Sequence, residues 1–417
     1  MTTITRAPAE AVTAPKPPTL AEQARAYWQR LRGGEMGSFP AVLAIIVLVI
    51  GFGVAKPVFL TPLNFANLLH QSAVYIVAAM ALVFVLLIGE IDLAAGWTAG
   101  VTAAVMAKLL VGHTVPWYLA ILASIVTGVA IGTLLGTLVA KLGVPSFVVT
   151  LAAFLAFQGV LLWLVDQGQV ILITDPVILA INNNSLPIWA GWALYAFSVV
   201  AFAAVQLIRR ARRARRGVSH DPMSMVLLRI GVVAAIAGFG VYALSVNRSL
   251  VRGSVQQGVP IVVPIVVVLL VVLTFVLKRT RFGLHLYALG GNAEATRRAG
   301  IPVDRLKIAA FTLCSTLAAL AGIIQASRSN SVDGKLGSQL ILFAVGAAVI
   351  GGTSLFGGRG RIIDAVLGGL VVAIIANGMG LLSAPEWVRF VVTGLVLLVA
   401  AAVDALARKR SSTVGLR

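Results

Sequence analysis

The sequence predicts an all-α, polytopic membrane protein with about twelve, and at least ten, transmembrane helices. Three observations lead there. Residues of the set AVILMFWYC make up 59% of the 417, and the mean hydropathy is +0.99. Charged residues are only 11%, against about 25% in a soluble domain, too few to coat a water-soluble particle of this size. The basic residues, 33 Lys and Arg against 14 Asp and Glu, fall in short breaks between apolar runs. That pattern is the loop bias of a membrane protein rather than the footprint of nucleic-acid binding.

A lipid-crossing helix needs about 20 mostly apolar residues. Twelve runs qualify, near 41–59, 64–88, 93–111, 117–140, 147–165, 187–208, 226–246, 259–277, 305–326, 340–357, 362–382 and 386–406. Pro, Gly, Asn or charge separates them, as at Lys56-Pro57, Thr61-Pro62 and Asp175-Pro176. Residues 1–38, with Pro8, Pro15, Pro17, Pro18 and scattered charges, read as a disordered basic arm. It is too long and polar for a signal n-region, so the first helix is expected to stay uncleaved. The membrane domain is expected over 39–407, with cytoplasmic loops near 209–225 and 278–307, and a tail at 408–417.

Alternating the runs from a cytoplasmic N-terminus places 26 basic residues inside and seven outside, which predicts both termini in the cytoplasm. The densest cluster, Arg209, Arg210, Arg212, Arg213, Arg215 and Arg216, reads as a topology anchor against anionic lipid.

The interior chemistry excludes several classes. The chain has no GxxxxGK[ST], HExxH or CxxC. Its lone cysteine, Cys314, lies in an apolar run and carries no redox or metal signal. His70, His113, His220 and His285 are far apart and read as interfacial or loop residues rather than metal ligands. Intramembrane acids are few. Asp364 is within a turn of Arg361, and Asp404 is beside the basic C-terminus.

Glu90 and Asp92 differ: they lie in Ile88–Gly96, IGEIDLAAG, with no basic neighbour in sequence. This segment is either a plain cytoplasmic turn or a helix broken at membrane depth, where freed backbone groups face a polar cavity. Ile350–Gly358, IGGTSLFGG, shares the pattern I-G-x-x-x-L-x-x-G. Paired glycine-interrupted segments, one in each half, point to a transport pathway built from internal repeats, parallel or inverted. The candidate pathway residues are Gly89, Glu90, Asp92 and Gly96 in the first break. In the second they are Gly351, Gly352, Thr353, Ser354, Gly357 and Gly358. Gly128, Gly132 and Gly136 repeat every four residues and form a small face, for internal packing before oligomer contact.

The loop Lys278–Lys307 is the most informative stretch. Gly290-Gly291 breaks the chain, Asn292 is an N-cap candidate, Ala293–Arg298 favours helix, Gly300 is a stop and Pro302 follows. This short helix is either an ordinary interfacial element or a rigid lug for a cytoplasmic partner. Its Ala and Gly residues would allow close approach, and Arg297 and Arg298 would supply charge.

The stretches GEIDLAAG (89–96), GVPSFVVTLAAF (143–154), RTRFGLHLYALGGNAEATRRAGI (279–301) and IGGTSLFGGRG (350–360) together resemble the permease subunit of bacterial ABC importers for monosaccharides, the ribose, xylose and galactose group. The resemblance runs over roughly residues 60–405, and the extra length around 187–250 is most similar to the xylose branch. It implies a homodimer of permeases in the bacterial inner membrane, a cytoplasmic ABC ATPase docked below, and a periplasmic sugar-binding protein above. It also implies no cofactor in this chain, with ATP and Mg held by the ATPase, and no nucleic-acid partner. Carried over, Gly291, Asn292, Glu294, Ala295, Arg298 and Gly300, with Arg297 beside them, would form the segment that couples to the ATPase. Glu90 stands where the family commonly has a second Gly, and Ala94 where it commonly has Ser. Ser338-Gln339-Leu340 departs from the family's outer-loop pattern, so no binding role is assigned there. Twelve spans with both ends inside also fit an ion-coupled secondary sugar carrier. Against that reading, the connection between runs two and three lacks such carriers' basic signature.

Overall fold

The computed structural model describes residues 38–111, 115–166, 169–217, 222–396, 398–399 and 402. The N-terminal arm up to residue 37, Asp404, His113, His220 and the 408–417 tail lie outside the described residues.

The fold is helical throughout. Helix α1 spans Phe39–Ala55, a 3-10 turn spans Pro57–Leu60, and α2 is Pro62–Leu87. There follow α3 (Ala95–Val111), α4 (Trp117–Lys141), α5 (Ser146–Leu164), α6 (Pro176–Asn183), α7 (Ile188–Arg215), α8 (Met223–Ser245) and α9 (Val262–Arg279). The remainder is α10 (Arg281–Gly291), α11 (Ala293–Arg298), α12 (Val303–Ser329), α13 (Leu340–Gly351) and α14 (Ile362–Leu381), with a further helical stretch at 386–396. Among the described residues the strands are β1 (Ile171–Leu172) and β2 (Ser331–Val332), an antiparallel clip that ties the α5–α6 connection to the end of α12.

Every predicted run carries a helix. Eight are long and apolar enough to cross a membrane: α2, α4, α5, α7, α8, α9, α12 and α14. Helices α1, α3 and α13 are apolar but shorter. The 340–357 run is helical only to Gly351, so its last six residues belong to the second break. The Arg209–Arg215 cluster, expected in a loop, continues α7 as helix. Arg is a good helix former, and its charge is favourable at a helix C-terminus.

Helix α2 is the hub. From Ser72 to Leu87 nearly every side chain is buried, as expected for a helix that is apolar on all sides and surrounded by others. Helices α12, α13 and α14 pack around it. Gly369 of α14 lies against Ile76, and Asn377 bonds Asn64, so α14 runs antiparallel to α2. Gly351 and Gly368 set α13 antiparallel to α14 through Asp364 and Ala347. Helices α2 and α13 therefore run in the same direction, and the two glycine-broken segments are parallel.

Gly128, Gly132 and Gly136 are spent on internal packing. A Cβ at Gly132 would stand 2.6 Å from Thr312 Cα, and one at Gly136 2.7 Å from Ile308 Cα, both on α12. By contrast α7 and α8 pack chiefly on each other and carry large exposed apolar side chains, Phe197 and Phe239 among them. Those are lipid-facing surfaces in a membrane helix pair.

Candidate functional site

The two breaks and the α10–α11 joint meet at one end of the bundle. Helix α2 stops because Gly89 takes a left-handed φ of +77°. Gly89 N–H then donates to Leu86 O and Glu90 N–H to Val85 O, each at 3.0 Å. These are the 5→2 and 6→1 bonds of a glycine helix stop. Helix α13 ends the same way at Gly352 (φ +113°), with Gly352 N–H to Val349 O and Thr353 N–H to Ala348 O. The shared sequence pattern aligns Gly89 with Gly351, but the left-handed residue is Gly352, one position later.

Asp92 is fully buried in the first break. Its Oδ1 accepts from Ala94 N–H at 2.9 Å, which turns the chain into α3. Among the described residues its Oδ2 meets only Cys314, whose S–H is a weak donor. Gly96 lies against Gly337 and Ile341, with no room for a side chain.

Glu90, which has no basic neighbour in sequence, has one in space. Lys307 Nζ of α12 lies 2.5 Å from its carboxylate, with both side chains mostly buried. Glu90 is thus neutralised by a partner 217 residues away.

In the second break Thr353 and Ser354 are buried, and Ser354 N–H donates to Arg359 O. Gly358 N–H donates to Leu87 O at 2.8 Å, fastening this break to the first. Arg361 pairs with Asp364 at 2.6 Å, as their spacing predicts.

The α10–α11 joint packs into the same corner. Gly290 lies directly on Leu87 O and Gly358 N, and a Cβ at Gly357 would stand 2.9 Å from Gly290 O and 3.0 Å from Gly89 N. Tyr287 O–H donates to Gly360 O at 2.6 Å. Burial, and then the Asp364 charge, push the Tyr287 phenol above its ordinary value, which keeps that donor protonated.

Beyond this corner α11 projects outward. Asn292 Oδ1 caps it by accepting from Ala295 N–H at 2.9 Å, and Gly300 (φ +77°) closes it with Gly300 N–H to Arg297 O and Ile301 N–H to Thr296 O. Glu294 and Arg298 pair at 3.0 Å in the open, and Arg297 reaches Asp304 at 3.7 Å. Only Thr296 of the helix is buried; Gly291, Ala293 and Ala295 are exposed. A shallow recess of about 200 Å³ beside it is lined by Glu90, Ser146, Arg297, Asp304 and Lys307.

The opposite end of the bundle holds a second feature that the sequence did not single out. A cavity of about 390 Å³ opens between the first turns of α2, the end of α6 and the last turns of α12 and α14. Asn67, His70 and Gln71 of α2 line it with Asn183, Arg328 and Asn377. Gln71 stands sixteen residues before Leu87, about 24 Å along the helix from the glycine corner. Buried amides brace the cavity. Asn182 Nδ2 donates to His70 O at 3.2 Å, its Oδ1 lies 3.3 Å from His70 Nδ1, and its backbone N–H donates to Ser327 Oγ at 2.9 Å. Asn64 Nδ2 donates to Asn377 Oδ1 at 2.9 Å. Helix α2 alone contributes Asn67, His70 and Gln71, with Asn64 one turn earlier, a polar stretch legible in the sequence. Their partners Asn183, Arg328 and Asn377 stand on three other helices and are brought to them only by the fold.

Comparison with known proteins places this architecture. Residues 64–401 match the family described as branched-chain amino acid transport system / permease component. The xylose transport system permease protein XylH of Escherichia coli (strain K12) is 33% identical over 374 residues, 89% of this chain and 93% of that one. XylH of Haemophilus influenzae is 31% identical over 382 residues, 91% and 99% of the two chains. The ribose import permease protein RbsC of Bacillus subtilis (strain 168) is 31% identical over 379 residues, 91% and 95%. No solved structure matches. By extent of match and by identity, the chain belongs to this family of ABC-importer permease subunits.

Proposed function

We propose that the chain is the membrane-spanning permease of an ATP-driven monosaccharide importer, with a pentose of the xylose type as cargo. Two copies pair in the inner membrane with both termini in the cytoplasm. A separate ABC ATPase, which holds ATP and Mg, docks below, and a periplasmic binding protein delivers the sugar from above.

The observation that carries this reading is the glycine corner. An exposed, capped helix, α11, is joined through Gly290 to both broken segments. A push on α11 by a cytoplasmic motor is delivered without slack to Leu87 and Gly358, and so to the ends of α2 and α13. Helices with tight backbone contacts shift between discrete arrangements rather than deform continuously. The permease itself moves; hydrolysis occurs on its partner.

The opposite cavity supports a sugar over an amino acid. Its lining offers amides, one imidazole and one guanidinium but no carboxylate to balance an ammonium group. An uncharged polyhydroxy ligand needs donors and acceptors and no such counter-charge.

Exchange of the exposed pair tests the coupling. Glu294→Arg combined with Arg298→Glu keeps an i,i+4 pair, and exposed pairs of this kind are worth only about 0.3–0.5 kcal/mol, so the helix persists. The expected result is ATP hydrolysis that no longer drives uptake, with the permease still assembled in the membrane. Unchanged uptake in this double variant would remove α11 from the coupling path.

A further inference from the structure

We infer that the cavity at the α2/α6/α12/α14 end is a transit site that holds one ring-form monosaccharide on its way into the permease. The inference rests on the importer reading and adds a binding site to it. About 390 Å³ falls within the range of small-ligand pockets, roughly 300–1,000 Å³.

The polar groups that face it are available. The Asn67 side chain makes no hydrogen bond among the described residues, and Gln71, which also contacts Tyr75, follows one helical turn later on the same face. Asn377 uses its Oδ1 to accept from Asn64, which leaves its NH₂ as a free double donor. Because Asn182 Nδ2 donates to His70 O, its Oδ1 can only accept, so His70 Nδ1 carries the proton in that contact. A neutral ring then presents Nε2 as an acceptor. Arg328 adds a fork of donors with no ion pair among the described residues.

The lining therefore offers both donors and acceptors, which suits a polyhydroxy ligand. The lining includes no aromatic platform, so a sugar is held by hydrogen bonds alone. That suits a site a ligand must enter and leave, where binding has to be weak enough for release.

The single native cysteine makes a direct test possible. Cys314 is fully buried, so in the full-length chain in nanodiscs a cysteine placed at Asn67 is the accessible thiol. The rate of Asn67→Cys labelling by a small thiol reagent is measured with and without D-xylose or D-ribose. Val58→Cys, at the same end but outside the cavity, serves as control. Sugar at ten times its dissociation constant should slow labelling of Asn67→Cys roughly tenfold and leave Val58→Cys unchanged. Equal rates with and without pentose would overturn the site, as would protection by L-leucine or inorganic phosphate instead. ATP-driven pentose uptake by the unmodified chain is measured in parallel. Uptake without protection sinks the transit site alone, whereas absence of uptake sinks the importer reading beneath it.

Discussion

At the scale of single residues, the glycine corner depends on absent side chains. Gly290 meets backbone atoms of Leu87 and Gly358, which cannot swing aside. Gly290→Ala is expected to destabilise the chain by about 1–3 kcal/mol, the usual cost of overpacking, and to lower uptake. Gly291→Ala, one position on and facing open space, should leave the melting temperature unchanged. A thermal melt of the two variants in detergent, compared side by side, checks this. The Glu90–Lys307 pair makes a second residue-scale prediction. Glu90→Gln leaves a mostly buried ammonium without its partner and should cost about 1–3 kcal/mol. Adding Lys307→Met should recover much of that loss. A double-mutant cycle on the melting free energies reads the coupling, and purely additive effects would show that the pair carries none.

At the scale of elements, helix positions were legible because apolar runs of lipid-crossing length leave little choice. The short α11 was legible too: Asn292, Gly300 and Pro302 are the residues a cap, a left-handed stop and a following break require, and each stands in that role. Helix α10 was not foreseen, since Gly290-Gly291 reads as a break while the structure carries helix through Gly291. The packing against Leu87 and Gly358 explains why two glycines end that helix. Glu90's partner was invisible for another reason: Lys307 is 217 residues away, and no local spacing announces it. The small-residue face of α4 was legible as packing, and its partner, α12, was not. Gly132→Leu is expected to separate α4 from α12 and to abolish assembly. Size-exclusion profiles of the detergent-solubilised variant test it, and a monodisperse, stable variant would contradict it.

At the scale of the whole molecule, the two features stand at opposite ends of one bundle. One end carries an exposed helix geared to two broken segments, and the other a braced polar cavity. Helices α2, α12 and α14 run between the two ends, and in the proposed mechanism they carry a shift at the glycine corner to the cavity. Charge bias suggested which end faces the cytoplasm, but only one wall of the cavity, on α2, shows in the sequence. Asn64, Asn67, His70 and Gln71 do cluster in the first turns of α2, but their partners Asn183, Arg328 and Asn377 stand singly on distant helices.

The central claim is that ATP hydrolysis on a partner chain drives sugar through this permease. The most direct measurement is pentose uptake into proteoliposomes that hold the permease with its ATPase and binding protein. The account predicts uptake that vanadate abolishes and a protonophore leaves intact. Uptake that survives vanadate and collapses with the protonophore would contradict it.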